Sequence, residues 1–290
     1  MRIAIVGGSG KMGQWFARLL RGEGNEVLVV GRSEEKLRHV RSDLDIETTT
    51  DISRVGDADV VIVTVPLDAF ELVIGQVAPH VNSAQVVVDF TSLKAKPVDI
   101  MHTYIGAAVT LGTHPVFGPG AKSLANQNFV LTPTNEREYA LALRVKEYLE
   151  THKARVSLMS PEEHDRMMTV ILGLAHFIAI ASADTLLSMD RFQEMKQIGG
   201  TTFRVLYTLV ESVLSEDPEL YASLQMGFPD ISTIEGQFRQ SVETWANIVK
   251  NNDRQTFVDR MTALKDRLEE TDPDFRTAYE DMYRITDGLS

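Results

Sequence analysis

The chain has 290 residues, 43% of them hydrophobic, enough for one large domain or two ordinary ones. Its formal net charge of −12 argues against nucleic acid or an anionic membrane as a partner, yet leaves room for a phosphate-bearing ligand held by backbone N–H groups and one or two arginines. No apolar run reaches the ~18–20 residues that span a bilayer, so no membrane segment is expected. With no cysteine, disulfides and thiolate metal sites are excluded, no metal is expected, and a cytoplasmic protein is the simplest reading.

RIAIV (2–6) reads as a first strand, followed at once by glycines and by no signal-peptide cleavage pattern. KMGQWFARLLRGEG (11–24) reads as a helix ending in glycine, EVLVVG (26–31) as a strand and EEKLRHVRSDL (34–44) as a helix. ADVVIVTVP (58–66) and AQVVVDF (84–90) are apolar almost throughout, as in strands buried on both faces of a parallel sheet. AAVTLGTH (107–114) and NFVLTPT (128–134) look like two more strands, EREYALALRVKEYLETH like a helix, and ARVSLM (154–159) like a last strand. This alternation predicts an α/β domain of Rossmann type with a doubly wound sheet. At SPEEHDRMM the character changes: Ser160 can cap a helix, Pro161 suits its first position and Glu163 can complete a capping box. Beyond it only helical periodicity remains, with breaks near Gly199-Gly200, Asp217-Pro218, Pro229 and Asp272-Pro273. The reading is a dinucleotide-binding domain over 1–158 and an all-α domain over 159–290.

In GGSGKMG, Gly8, Gly10 and Gly13 fit G-x-G-x-x-G between the first strand and the first helix. The first glycine is expected to make the tight turn, the second to let backbone approach a pyrophosphate, the third to let helix pack on strand. Ser9, Lys11 and Met12 within the loop, and Val65 and Pro66 at the end of the strand 58–66, are assigned to the cofactor as well. Where NAD proteins carry Asp or Glu after the second strand, this chain has Gly31, then Arg32 and Ser33. A guanidinium and a hydroxyl suit a 2′-phosphate, so NADP is expected over NAD. The alternative is that Arg32 is a solvated surface residue.

LGTHPVFGPG (111–120) holds one ionisable residue, His114, at the carboxyl end of a predicted strand, the edge where open sheets bind ligands. Gly112 and Gly118 are expected to turn the chain, and Pro115 and Pro119 to stiffen it. A stiff loop would hold a base firmly, and an imidazole suits proton transfer near neutrality.

GGSGKMG, HPVFGPG, HDRMMTVILGLAHF (164–177) and FRVLYTLVESVLSEDPELYASLQM (203–226), in this order, resemble the prephenate dehydrogenases of tyrosine biosynthesis over nearly the whole chain. The resemblance implies a Rossmann domain followed by a helical domain that forms a homodimer. It implies that His114 is the base that takes the C4 hydroxyl proton of prephenate as hydride leaves C4 for the nicotinamide, with decarboxylation and aromatisation. It places Ser92 of DFTSLK near that hydroxyl and histidine, Arg204 on a substrate carboxylate, and His176 in the substrate pocket.

On a helix over 161–187, Asp165, Thr169 and His176 would share one face. That stripe serves either as pocket lining or as buried, satisfied polar groups. His164, in the first turn, reads as structural, and Arg204 could instead pair with Glu211 or Asp217. The apolar stretch 170–187 exceeds what a thin bundle buries, which also predicts a homodimer. The chain opens on its first strand and closes in a helix, so a single activity without a fused regulatory domain is expected. Competing readings are arogenate in place of prephenate, an imine or hydroxyacid reductase, a deazaflavin-linked NADP reductase, and an NADP sensor without chemistry. The second lacks its lysine after Gly199-Gly200, and the third lacks the long helical tail and HPVFGPG.

Overall fold

Valine, isoleucine and leucine fill most strand positions of the first half, and most of them are buried. A computed structural model describes residues 1–288. In chain order it runs β1 (Arg2–Val6), α1 (Lys11–Gly22), β2 (Glu26–Val30), α2 (Glu34–Leu44), β3 (Glu47–Thr49), β4 (Val60–Val63), α3 (Leu67–Val77), β5 (Val86–Asp89), α4 (Ala95–Tyr104), β6 (Val109–Pro115), β7 (Asn128–Thr132), α5 (Glu136–Thr151), β8 (Arg155–Leu158) and α6 (Pro161–Met168).

One eight-stranded sheet has the order β3-β2-β1-β4-β5-β6-β7-β8. Neighbours pair in parallel except β6 and β7, which are antiparallel. The reason is local: residues 116–127 hold no crossover helix, and parallel pairing needs one. Successive side chains along a strand serve opposite faces. Ala4, Val6, Val61 and Val63 pack with Phe70, Ile74, Val98 and Met101, while Ile3, Ile5 and Ile62 pack with Trp15, Phe16, Leu20 and Leu37. The doubly wound expectation holds, helices covering both faces. The strand β3 was not foreseen; its sequence, ETT, carries no apolar alternation and lies at the sheet edge. His114 and Pro115 lie inside β6, not in a loop after it. Pro115 is tolerated there because β5 pairs no further than Gly112, and the N–H bond to β7 resumes at Val116.

The chain divides into two compact units, the first ending at Met168 and the second beginning at Thr169. The sequence places the change of character at 158/159; by packing, α6 goes with the first unit, tied to the start of α4 through Asp165. Ser160 and Glu163 form the expected capping box, with bonds of 3.1 and 3.2 Å.

The second unit is helical. It opens with a π-helix over Thr169–Leu174 and continues as α7 (Ala175–Leu187), α8 (Phe192–Ile198), α9 (Thr201–Leu214), α10 (Pro218–Gly227), α11 (Ile231–Lys250), α12 (Arg254–Thr271) and α13 (Ala278–Asp287). The breaks fall at the expected glycines and prolines, with two more around 188–191 and 251–253. The π turn accommodates a close approach: a Cβ at Gly173 would lie 2.7 Å from Ile231 Cδ1, and its carbonyl accepts from Gln225 Nε2 at 3.0 Å.

One expectation changes. The helical stretch Pro161–Leu187, 27 residues with a mean hydropathy of 1.9 in its most apolar window, is long and apolar enough to cross a membrane by length and composition. Thr, Ser, His and Asp interrupt its apolar runs yet leave the mean high, so a search for unbroken runs misses it. Val170, Ile171, Ile180 and Leu187 on it are exposed.

Candidate active site

The strand order reverses between β1 and β4, the point at whose carboxyl edge open α/β sheets bind ligands. Thr64 N–H donates to Val6 O at 2.8 Å, holding the ends of the two strands side by side. The turn itself falls on Gly7, whose φ of +79° is left-handed, and not on Gly8 as the motif suggests. A Cβ at Gly7 would also lie 2.8 Å from Val65 Cγ1. At Gly8 it would lie 2.8 Å from Ile5 O, and at Gly13 2.5 Å from Gly8 Cα. These two glycines therefore permit the close packing of α1 on β1. Gly10 is the N-cap of α1, and no side chain caps the start of this helix, the end that carries partial positive charge toward an anion. Gln14 Nε2 donates to Ser9 O at 2.8 Å and pins the loop before Lys11 and Met12.

The end of β2 abuts this loop: a Cβ at Gly31 would lie 3.2 Å from Ser9 Oγ. Arg32 is exposed beside it. Ser33 caps α2, its Oγ accepting from Lys36 N at 3.3 Å. Pro66 is the N-cap residue of α3, next to Val65. A glycine cradle without Cβ atoms and a helix N-terminus with no side-chain cap fit the phosphates of a dinucleotide.

His114 is buried, 4% exposed. Its Nδ1 lies 2.8 Å from His164 Nε2, and His164 Nδ1 lies 2.7 Å from Asp165 Oδ1. The Asp165 carboxylate also accepts the backbone N–H groups of Lys94 at 2.7 Å and Ala95 at 2.9 Å, at the start of α4. The Lys94 side chain is fully buried. Its Nζ donates to Asp89 Oδ1, to Thr91 Oγ1 at 3.2 Å and to Thr113 O at 2.7 Å. Thr113 Oγ1 in turn donates to Asp89 O at 2.7 Å. The ends of β5 and β6 and the starts of α4 and α6 are thus locked together around one imidazole. Burial pushes the His114 pKa well below the usual histidine range, and the nearby His164 and Lys94 push the same way. Burial lowers His164 too, against the opposing pull of Asp165. Both rings are neutral near pH 7, so His114 is available as a base.

The loop after β6 is held by aromatic packing. Phe117 sits edge-on to Trp15 and Phe129, with centroids 5.2 and 5.4 Å away, and Trp15 Nε1 donates to Ala121 O at 2.6 Å. Gly112 makes no turn: a Cβ there would collide with Thr132 Oγ1 and lie 2.7 Å from Val98 Cγ2, so it lets β6 pass close to its neighbours. Gly118 has open space and an ordinary φ.

Ser92 lies in the β5–α4 loop, half-buried, and no hydrogen bond joins it to His114 among the described residues; His164 takes the Nδ1 position. His164, first read as structural, is the direct partner of His114. Lys94 and Asp89 were not singled out, although a lysine between the apolar neighbours Leu93 and Ala95 is a signal of a buried, paired cation.

In the second unit, Arg204 on α9 donates to Thr286 O at 3.3 Å. It pairs with neither acid considered for it: Glu211 takes Lys196 at 3.1 Å and Asp217 caps α10. His176 on α7 packs edge-on against Tyr221, centroids 4.8 Å apart, and its buried Nδ1 has no hydrogen-bond partner among the described residues. Burial lowers its pKa. Thr169 Oγ1 donates to Pro229 O at 2.9 Å. The π turn between Thr169 and His176 breaks the single-face register that a continuous α-helix would give them.

Two family models match the chain: prephenate dehydrogenase, nucleotide-binding domain, over residues 16–158, and prephenate dehydrogenase, dimerization domain, over 160–263. A Methanocaldococcus jannaschii protein named "Probable arogenate/prephenate dehydrogenase" is 36% identical over 263 residues, 89% of this chain and 59% of its own length. The T-protein of Haemophilus influenzae is 28% identical over 91% of this chain and 66% of its own length. The chain therefore spans about two thirds or less of these relatives. Among solved structures, prephenate dehydrogenase from A. aeolicus, in complex with hydroxyphenyl propionate and NAD+, superposes with a TM-score of 0.77 at 25% identity, covering 94% of this chain and 98% of that one. Synechocystis arogenate dehydrogenase shares the fold with a TM-score of 0.70 at 18% identity, covering 93% of this chain and all of that one.

Proposed function

Because the chain belongs to the prephenate dehydrogenase family, we propose that it converts prephenate to 4-hydroxyphenylpyruvate by oxidative decarboxylation in tyrosine biosynthesis. The observation that carries the reading is His114: a neutral, buried imidazole on the carboxyl edge of the sheet that also bears the glycine cradle. A nicotinamide dinucleotide, when bound, supplies the hydride acceptor. Gly8, Gly10 and Gly13 with the start of α1 would hold its phosphates, and Val65 and Pro66 follow β4 at the same carboxyl edge. His114 accepts the proton of the substrate C4 hydroxyl as the C4 hydride departs. Loss of the ring carboxylate as carbon dioxide then leaves an aromatic ring. Arg204 supplies a guanidinium for a substrate carboxylate and His176 a polar group for the substrate, both roles resting on the family likeness. NADP is the proposed cofactor, because Arg32 stands where an acidic residue would read a bare ribose. The exposed apolar helix around 170–187 lies within the match to the family's dimerization domain, which supports a homodimer.

The test is absorbance at 340 nm with purified protein and prephenate, with NADP and NAD in parallel, and arogenate as a second substrate. Reduction with prephenate is expected, faster with NADP. His114→Asn should keep cofactor binding and lose roughly 10²–10⁴-fold in kcat. Arg32→Ala should raise KM for NADP by about tenfold or more and leave that for NAD nearly unchanged. Activity on arogenate alone would change the substrate and keep the mechanism.

A further inference from the structure

We propose that His164 and Asp165 are positioning residues for His114: the chain Asp165–His164–His114 fixes the base as the tautomer protonated at Nδ1, with its bare nitrogen at Nε2. The inference rests on the reading of His114 as the base.

Proton counting makes the argument. Asp165 accepts two backbone N–H groups, from Lys94 and Ala95, so it is held as an ionised acceptor at a helix N-terminus. Its third partner, His164 Nδ1, must then donate. A neutral His164 with its proton on Nδ1 offers a lone pair at Nε2. His114 Nδ1, 2.8 Å away, must therefore be the donor to it, and the lone pair of His114 is left on Nε2. When Nε2 takes a proton, the positive charge lies one hydrogen bond from His164 and two from the Asp165 carboxylate. The Nδ1 proton can pass to His164 Nε2, which leaves His114 neutral and His164 cationic beside Asp165. The other charged groups at the cluster are Lys94, bonded to the carbonyl just before His114, and Asp89, paired with Lys94. This arrangement repeats the orienting logic of an acid–histidine pair with one more ring inserted.

The first test needs no variant. Long-range ¹H–¹⁵N correlation on the intact, ¹⁵N-histidine-labelled protein should show His114 protonated at Nδ1 and bare at Nε2; the opposite tautomer would overturn the proposal. His164→Asn and Asp165→Asn should each lower kcat by roughly 10²-fold, with KM for prephenate changed only a few-fold. In Asp165→Asn the acid limb of the kcat–pH profile should move to lower pH, because the carboxylate no longer favours the charged pair. Folded variants with the parent kcat and pH profile would refute the positioning role. If His164→Asn does not fold, the spectrum and Asp165→Asn decide. Turnover retained in His114→Asn would sink the base assignment instead, while the tautomer spectrum still judges the chain by itself.

Discussion

Two neutral imidazoles and a lysine closed off from solvent make the His114 cluster sensitive to acid. Unfolded histidines titrate near 6.5, whereas burial holds His114 and His164 lower in the folded chain. Between the folded and unfolded values the unfolded state binds more protons. Stability is therefore complete above about pH 6.5 and is lost as pH falls below it, with a slope of up to ~1.4 kcal/mol per pH unit for each histidine. Thermal melts should give a lower Tm at pH 5.5 than at 7.5; a level or rising Tm would contradict the burial of neutral rings. Lys94→Met should cost about 3–5 kcal/mol in urea unfolding, since it leaves Asp89 buried without its cation. At this scale the sequence made His114 legible through its unusual surroundings. His164 was not legible, because its role depends on a contact fifty positions away in the chain. The left-handed turn also moved by one residue, from Gly8 to Gly7, since two adjacent glycines offer the same freedom and only packing chooses between them.

Elements were legible wherever one periodicity dominated. β1 and α2 fall on the residues expected, because continuous β-branched runs and a capped amphipathic segment each leave one solution. β3 escaped, being three polar residues whose pairing with β2 comes from the sheet. The π-helix escaped because the apolar run across it carries no sign of a change in helical register; Gly173 within it lies close to Ile231 and Phe228. The strand β6 shows what packing demands of an element. Gly112→Ala should destabilise by about 1–3 kcal/mol, because Thr132 and Val98 leave no room for a methyl group. Gly118→Ala, with open space, should be neutral or stabilise by up to ~1 kcal/mol. Denaturant midpoints of the two variants provide the check; equal midpoints would mean that β6 yields more than its neighbours suggest.

For the whole molecule, the alternation of strands and helices gave the α/β class and the helical second half. The partner of the second half was less direct: its apolar surplus shows in the sequence, but a surplus alone does not say what covers it. Light scattering at micromolar concentration should return the mass of two chains, and the mass of one would remove the homodimer. The two units also differ in a way that optical spectroscopy can use. The chain has two tryptophans, Trp15 in the first unit, bonded to the loop after β6, and Trp245 in the second, packed edge-on to Phe257. Each unit thus carries its own fluorophore. Trp15→Phe silences the first and Trp245→Phe the second, so paired emission curves separate the melting of the sheet from that of the bundle. The Trp15 emission, lying against the segment that follows His114, doubles as an intrinsic gauge of how that segment responds when cofactor is added.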